Sequence, residues 1–322
     1  MVPKKLSGEI NIFGNCRRYG LALWQCPQFL FLMMGFFIMI ASLSAYYIAT
    51  RFIGDPQLAA LLVLFLTAAL LTIAVLVVRS FERLAEANRM KTEFVSIVSH
   101  QLRAPLSNEK WSIELLLSGK IGPIEEEQLE YFKILKENND RMRELINDLL
   151  TVSRIEQGRL PIVKANVSLK ELIEKQLQRI RPFASASNIE ILANLSGDKL
   201  EVYGDKPQIT TVLENLLDNA IRYSKEKGKI LVSAEKKGKF IFFEVKDHGV
   251  GIPEEERQNI FKKFFRSENA LKRQTQGSGL GLYIAKAIIE DSGGKIGFSS
   301  RESVGSSFWF TLPVDGQVKK NK

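Results

Sequence analysis

FVSIVSHQLRAPLS, residues 94 to 107, carries His100, one of two histidines in a chain of 322 residues. Its apolar spacing reads as helix, and the same pattern runs from Phe81 to about Leu117. Pro105 is the one interruption. A proline lacks the N–H that closes a helical turn, so a kink is expected just past His100. Taken alone, such a histidine is more readily a surface residue than a nucleophile. The segments on either side decide between the two.

Upstream, Phe29 to Ala49 and Leu58 to Val78 contain no charged residue. Each run is about 31 Å long as a helix, which matches a hydrocarbon core of about 30 Å. They read as two transmembrane helices, and the first is too long and too far from the start for a cleavable signal peptide. Lys4, Lys5, Arg17 and Arg18 precede the first run, and Arg79, Arg83, Arg89 and Lys91 follow the second, so both termini are expected on the cytoplasmic side of the plasma or inner membrane. The connection from Arg51 to Gln57 is too short for an external domain. The net charge of +9 is spread over juxtamembrane segments, a lysine-rich hairpin and the C-terminal tail; it reads as solvated or lipid-facing charge, with no nucleic-acid partner. Cys16 and Cys26 have no partner at metal-ligand spacing and are expected as reduced thiols without a catalytic task.

Downstream, Gly119, Gly122 and Pro123 mark a turn, and a second helix is expected from near Glu125. Leu135, Met142, Leu145, Leu149 and Val152 form a coiled-coil seam along it. Pairing with a second copy would bury that seam in a four-helix bundle, so a homodimer is expected. Residues 159 to 167 read as a linker. Beyond it, helices are expected at about 168 to 187, 207 to 223 and 280 to 291, and strands at about 189 to 195, 229 to 235, 239 to 246, 295 to 300 and 307 to 312. That alternation implies a mixed sheet covered by helices on one face.

Three constellations in this region carry chemistry. DHGVGIP, Asp247 to Pro253, follows the apolar strand FIFFEV; Gly249 and Gly251 would let backbone approach a flat ligand, and Asp247 could accept from an exocyclic amine. The same pattern is equally a β-turn. GSGLGL, Gly277 to Leu282, opens a helix whose N-terminal amides suit phosphate oxygens, or is a simple entry turn. In ENLLDNAIRYS, Glu214 to Ser224, Asn215 and Asn219 stand one turn apart on one helix face. Such a pair suits Mg²⁺ and phosphate, or is a solvated polar stripe.

The order of these motifs after His100 resembles the sensor histidine kinases over residues 85 to 315. SHQLRAPL is similar to their phosphoacceptor box, ENLLDNAIRYS to the N box, DHGVGIP to the first G box, IFKKFFR to the F box and GSGLGL to the second G box. The resemblance implies a membrane protein of α plus α/β class. Its segments would be 1–28 cytoplasmic, 29–50 and 58–78 transmembrane around a 51–57 loop, 79–158 a dimerisation and phosphoacceptor hairpin, 159–167 a linker, 168–315 an α/β sandwich ATPase domain of the gyrase type, and 316–322 a basic tail. It further implies that His100 becomes a phosphohistidine using ATP and passes the group to an aspartate of a separate response regulator. Asn219 would hold Mg²⁺, with Asn215, Arg222 and Tyr223 beside the nucleotide and Asp247 on adenine. Gly249 and Gly251, and Gly277, Gly279, Leu280 and Gly281, would form the loops around it, while Arg266 and Arg273 would reach from a lid between Phe261 and Gly277.

Two positions depart from the family pattern. The residue after the histidine is usually acidic and here is Gln101, which can accept a hydrogen bond from the ring yet cannot take its proton. Ala104 replaces the Thr or Asn with which phosphatase-competent relatives position water, so weak dephosphorylation of the regulator is expected. Fifteen residues between Val78 and Phe94 leave no room for the usual signal-relay module. The expectation is an intramembrane-sensing kinase, responding within the bilayer, through its lipids or a membrane accessory partner, or through its N-terminal segment, with no receiver domain after the last strand. A nucleotide-binding scaffold that transfers no phosphoryl group and a mechanical ATPase are the alternatives from other classes.

Overall fold

The structure, a computed structural model, describes residues 27–158, 160–161, 163–197, 199–225, 227–273 and 277–315. Cys16, Cys26, most of the N-terminal segment, residues 274–276 of the expected lid and the C-terminal residues 316–322 lie outside the described residues. The chain divides into two compact units, residues 1–101 with 157–159, and residues 102–156 with 160–322.

The first unit is a helical hairpin. Helix α1 spans Pro27–Phe52 and α2 spans Pro56–Leu117. The start of α2 is set locally: Asp55 Oδ1 accepts from the Gln57 amide at 2.9 Å, and Pro56 takes the first helical position, where its missing N–H costs nothing. Both helices are long and apolar enough to cross a membrane. Phe37, Leu64 and Phe65 are 60, 71 and 73 % exposed, apolar surface that the hairpin itself does not cover. Ser42 and Thr67 face each other across it, hydroxyl oxygens 3.5 Å apart, and each donates to a carbonyl of its own helix, those of Ile38 and Val63. Helix α2 passes without interruption from its apolar run through His100 and beyond Pro105. The proline removes the donor for the Gln101 carbonyl but does not end the helix.

In the second unit, the C-terminal part of α2 turns through Gly119, at φ +69°, into α3, Glu126–Glu156. The two helices are held by Asn139, whose side-chain nitrogen donates to the Leu106 carbonyl at 3.0 Å and to Glu109 at 3.1 Å, and by Lys110 and Asp140, 3.4 Å apart. Along the seam, Leu135, Met142 and Leu145 remain 45, 42 and 38 % exposed, whereas Val152 is buried in the core of the following α/β layer. The chain covers only the last turns of its own seam.

The α/β layer is a five-stranded mixed sheet, order β2-β4-β5-β7-β6 (Glu190–Ser196, Lys229–Lys237, Phe240–Lys246, Gly305–Pro313 and Lys295–Arg301), with β2 and β4 parallel and the other pairs antiparallel. Helices α4 (Leu169–Ala186), α5 (Lys206–Tyr223) and α7 (Gly281–Asp291) cover one face. Ile230, Ile241, Phe243 and Phe310 point into that interface, against Ile173, Leu213, Leu216 and Leu217. Each fully buried side chain of this size contributes about 1.5–3 kcal/mol. Capping fixes where the helices begin. Ser168 accepts from the Glu171 amide ahead of α4, and Asp205 accepts from the Gln208 amide ahead of α5.

The expected linker is partly a strand. Residues Ala165–Ser168 form β1, which pairs antiparallel with β3, Glu201–Gly204. Asp205 also accepts from the Val163 amide at 2.7 Å, tying the incoming chain to the base of α5. Between β5 and α7 lie a 3₁₀ turn, Glu254–Asn259, and a short helix α6, Glu268–Arg273.

Candidate functional site

Helix α5 presents Asn215, Asn219, Arg222 and Tyr223 along one edge because Leu213, Leu216, Leu217 and Ala220 occupy its opposite, buried face. These four residues line a cavity of about 1520 Å³ within the second unit. Asp247 and Gly251 line it from the loop after β5, and Arg266, Gly277, Gly279 and Gly281 from the loop before α7. Glu144 and Asp148 of α3 complete the wall. Arg273 closes α6 and its side chain lies outside the described residues. His100 and Gln101 belong to the first unit; both are exposed on α2, and the described hydrogen bonds include none between them.

Asp247 is nearly buried and rigidly held. Its Oδ1 accepts from the amides of Gly249 at 2.8 Å and Ser306 at 3.1 Å, while its own amide donates to the Ser306 carbonyl. Both side-chain bonds fall on one oxygen, so Oδ2 keeps its acceptor capacity. Burial pushes the carboxyl up to about 6, against the lowering effects of the two amides and of the His248 charge.

The glycines of the first loop are also required by the packing of the protein itself. A β-carbon at Gly249 would lie 2.1 Å from the Tyr223 carbonyl oxygen, and one at Gly251, at φ +66°, would lie 2.2 Å from the Arg301 carbonyl oxygen. The nearest atom is protein backbone in both cases, with Asp247 Oδ1 next at 2.7 Å from residue 249; Gly251 is on the cavity wall and Gly249 is not. Two glycines of the second loop meet site residues: Gly277 lies against the Arg266 guanidinium and Gly281 against the Asn215 side chain, whereas Gly279, at φ +68°, lies against the Phe264 backbone. Leu280 contributes backbone only: its side chain is in the core and its amide donates to Ser278 Oγ at 3.2 Å.

Sequence reasoning missed Ser306, Ser278, Glu144 and Asp148. Ser278 lies inside GSGLGL and could have been found there. Asp148 accepts from Ser278 Oγ at 2.9 Å, yet nothing in the sequence separates it from the other acidic residues of α3.

A cavity bordered by an asparagine pair on a helix, a buried aspartate after a strand and a glycine loop opening a second helix defines an ATPase site of the type shared by histidine kinases and gyrase. Residues 204–316 match the family model for the histidine kinase-, DNA gyrase B- and HSP90-like ATPase, and residues 90–158 match that for the His Kinase A (phospho-acceptor) domain. Carrying both domains in this order, the chain belongs to the histidine kinase family. It is 33 % identical over 229 residues to the circadian input-output histidine kinase CikA of Synechococcus elongatus, covering 70 % of this chain and 30 % of that protein. The full-length structure of ShkA in complex with AMPPNP superimposes with a TM-score of 0.57 at 28 % identity, covering 69 % of this chain and 45 % of that one. Histidine kinase ThkA in complex with the response regulator TrrA gives 0.50 at 26 % identity, covering 72 % and 65 %. The chain spans between a quarter and two-fifths of the length of the curated relatives it matches first.

Proposed function

We propose that the chain is a membrane-anchored sensor kinase that phosphorylates itself on His100 with ATP and passes the group to a response regulator. The observation that carries this reading is the presence, in one chain, of an exposed histidine inside the phospho-acceptor match and of the Asp247, Asn215 and Asn219 cavity inside the ATPase match. A ring nitrogen of His100 attacks the γ-phosphorus; the N–P bond forms as the bond to the bridging oxygen breaks, and ADP leaves. The receiving aspartate oxygen of the regulator then displaces the imidazole.

Within the cavity, Asp247 Oδ2 takes the adenine amine, which selects adenine over bases that lack an amine at that place. The GSGLGL loop and the N-terminal amides of α7 hold phosphate, with Arg222 and Asn215 alongside and Arg266 and Arg273 approaching from the lid. Mg²⁺ fits this donor set. Asn219 offers one neutral oxygen on the cavity wall, and no group of three His, Cys, Asp or Glu side chains suited to a metal occurs among the described residues. An ion held mainly by phosphate oxygens and water needs no more than that from the protein. Bound there, it would neutralise charge on the transferring group.

The exposed apolar surface of α1 and α2 supports a membrane hairpin, the basic residues before the first run and after the second support cytoplasmic termini, and the uncovered seam at Leu135, Met142 and Leu145 supports a homodimer. With only a short turn joining α1 to α2, the stimulus acts within the bilayer, through a membrane partner or on the N-terminal segment.

The 322-residue chain in lipid nanodiscs, incubated with γ-labelled ATP and Mg²⁺, should acquire acid-labile, base-stable label that His100→Gln abolishes. Binding of ATP without label would leave the nucleotide-binding scaffold as the function.

A further inference from the structure

Asp148 reaches from α3 to the loop that opens α7. Its Oδ2 accepts from Ser278 Oγ at 2.9 Å, and the same hydroxyl oxygen accepts from the Leu280 amide at 3.2 Å. A carboxylate therefore terminates a hydrogen-bond chain that begins at a helix N-terminus, where negative charge is favoured as a phosphate's would be. One turn earlier on α3, Glu144 lines the same cavity and is held charged in part by Arg222. Two turns later, Glu156 accepts from Lys263 at the far end of the same helix. Burial pushes the carboxyls of both Glu144 and Asp148 up, and only the Ser278 bond counters it at Asp148. Two carboxylates of α3 thus line a cavity, one of them on the loop that opens α7, although burial there disfavours their charge. A polyanionic tail added there would meet both.

We propose that Asp148 is a selectivity-determining residue of the nucleotide site: seated on Ser278 it takes the place of a phosphate, so that while α3 covers the cavity the adenosine moiety is admitted and the triphosphate tail is excluded. ATP then binds fully only when the Asp148–Ser278 bond opens, and ATP binding and α3 docking oppose one another. The inference rests on the reading of the cavity as an ATP site. It adds that the acidic face of α3 grades ligands by their number of phosphates, which a neutral helix in the same place would not do.

The test is calorimetric titration of the full chain in nanodiscs with ATP, ADP and adenosine, for wild type and Asp148→Asn. The asparagine keeps the shape and the capacity to accept from Ser278 but removes the charge. ATP should bind about tenfold more tightly to the variant, within the range of ordinary coupling between sites. ADP should gain less, and adenosine should stay within twofold of wild type. Equal gains for all three ligands, or none, would overturn the proposal. Should Asp148→Asn not fold, Asp148→Ala is titrated instead; if neither folds, Asp148 is a structural residue and the proposal fails. A wild-type protein that binds none of the three ligands would bring down the ATP-site reading itself, an outcome distinct from the other two.

Discussion

Gly281 and Asn215 meet where α7 begins: a β-carbon on residue 281 would lie 2.3 Å from the Asn215 side-chain oxygen. Asn215 is already oriented by its donation to the Thr211 carbonyl at 3.0 Å. The missing side chain lets the first turn of α7 close on α5 with the asparagine between them. Gly281→Ala adds a methyl group at a position with ordinary helical backbone, so the fold should persist while the Asn215 amide swings away. Autophosphorylation is expected to fall on the order of tenfold to a hundredfold, as for other small misplacements of a positioning group. Label incorporation alongside unchanged circular dichroism checks this.

Gly249 should behave in the opposite way. The atom a β-carbon would strike there is the Tyr223 carbonyl oxygen, 2.1 Å away, and that carbonyl accepts from the Val250 amide at 3.2 Å. Backbone cannot rotate aside as a side chain can. Gly249→Ala is expected to destabilise the α/β layer by about 3 kcal/mol. Urea titration of the variant should show an earlier unfolding transition before any effect specific to nucleotide is seen.

Asp247 gives a pH dependence whose sign follows from its carboxyl lying at about 6, above the usual 3.8. The folded domain holds this proton more tightly than the unfolded chain, so the group's contribution to stability is full below about pH 4 and is lost as pH rises through about 6. Nucleotide binding runs the other way, because the adenine amine needs the ionised acceptor. ATP affinity is therefore expected to decline as pH falls below about 6, by up to about tenfold per unit. In Asp247→Asn the affinity should be low at every pH, with that inflection gone; titrations between pH 5 and 8 decide it.

The contrast between Gly249 and Gly281 also shows what the sequence could and could not convey. Helices α4, α5 and α7 and all five strands of the main sheet were legible to within about two residues, because each carries a full apolar period. The two four-residue strands β1 and β3 were not: each is too short to display alternation, and only their pairing, with Val167 opposite Val202, defines them. The glycine motifs marked the right loops but not the reason for every glycine, since Gly249 and Gly251 answer to the carbonyls of Tyr223 and Arg301, distant in sequence. Asp148 was invisible for the same reason. Its importance lies in Ser278, brought to it by the fold.

Gln101 follows His100 directly, and its amide cannot accept a proton or offset an imidazolium charge. Gln101→Glu is expected to raise the autophosphorylation rate by roughly tenfold or more, a gain below the hundredfold or more that a fully positioned base supplies. Initial rates of label incorporation at saturating ATP measure it. An unchanged or lower rate would remove position 101 from the chemistry.

Asn139 joins the two helices of the hairpin through a single buried amide. Its nitrogen donates to both Leu106 and Glu109, while its oxygen is buried without a partner among the described residues. A buried acceptor left unpaired costs about 1–3 kcal/mol, which offsets much of what the two donated bonds contribute. Asn139→Leu should therefore leave the thermal stability of the hairpin within about 1 kcal/mol of wild type, because it removes the unpaired oxygen together with the bonds. Asn139→Asp keeps the shape but turns the donor into a second carboxylate facing that of Glu109, and should lose about 3 kcal/mol. Lowering the pH should partly restore the aspartate variant and leave the leucine variant unchanged, as followed by thermal unfolding. A leucine variant as unstable as the aspartate variant would mean that the Asn139 bonds, rather than the absence of buried charge, hold α2 on α3.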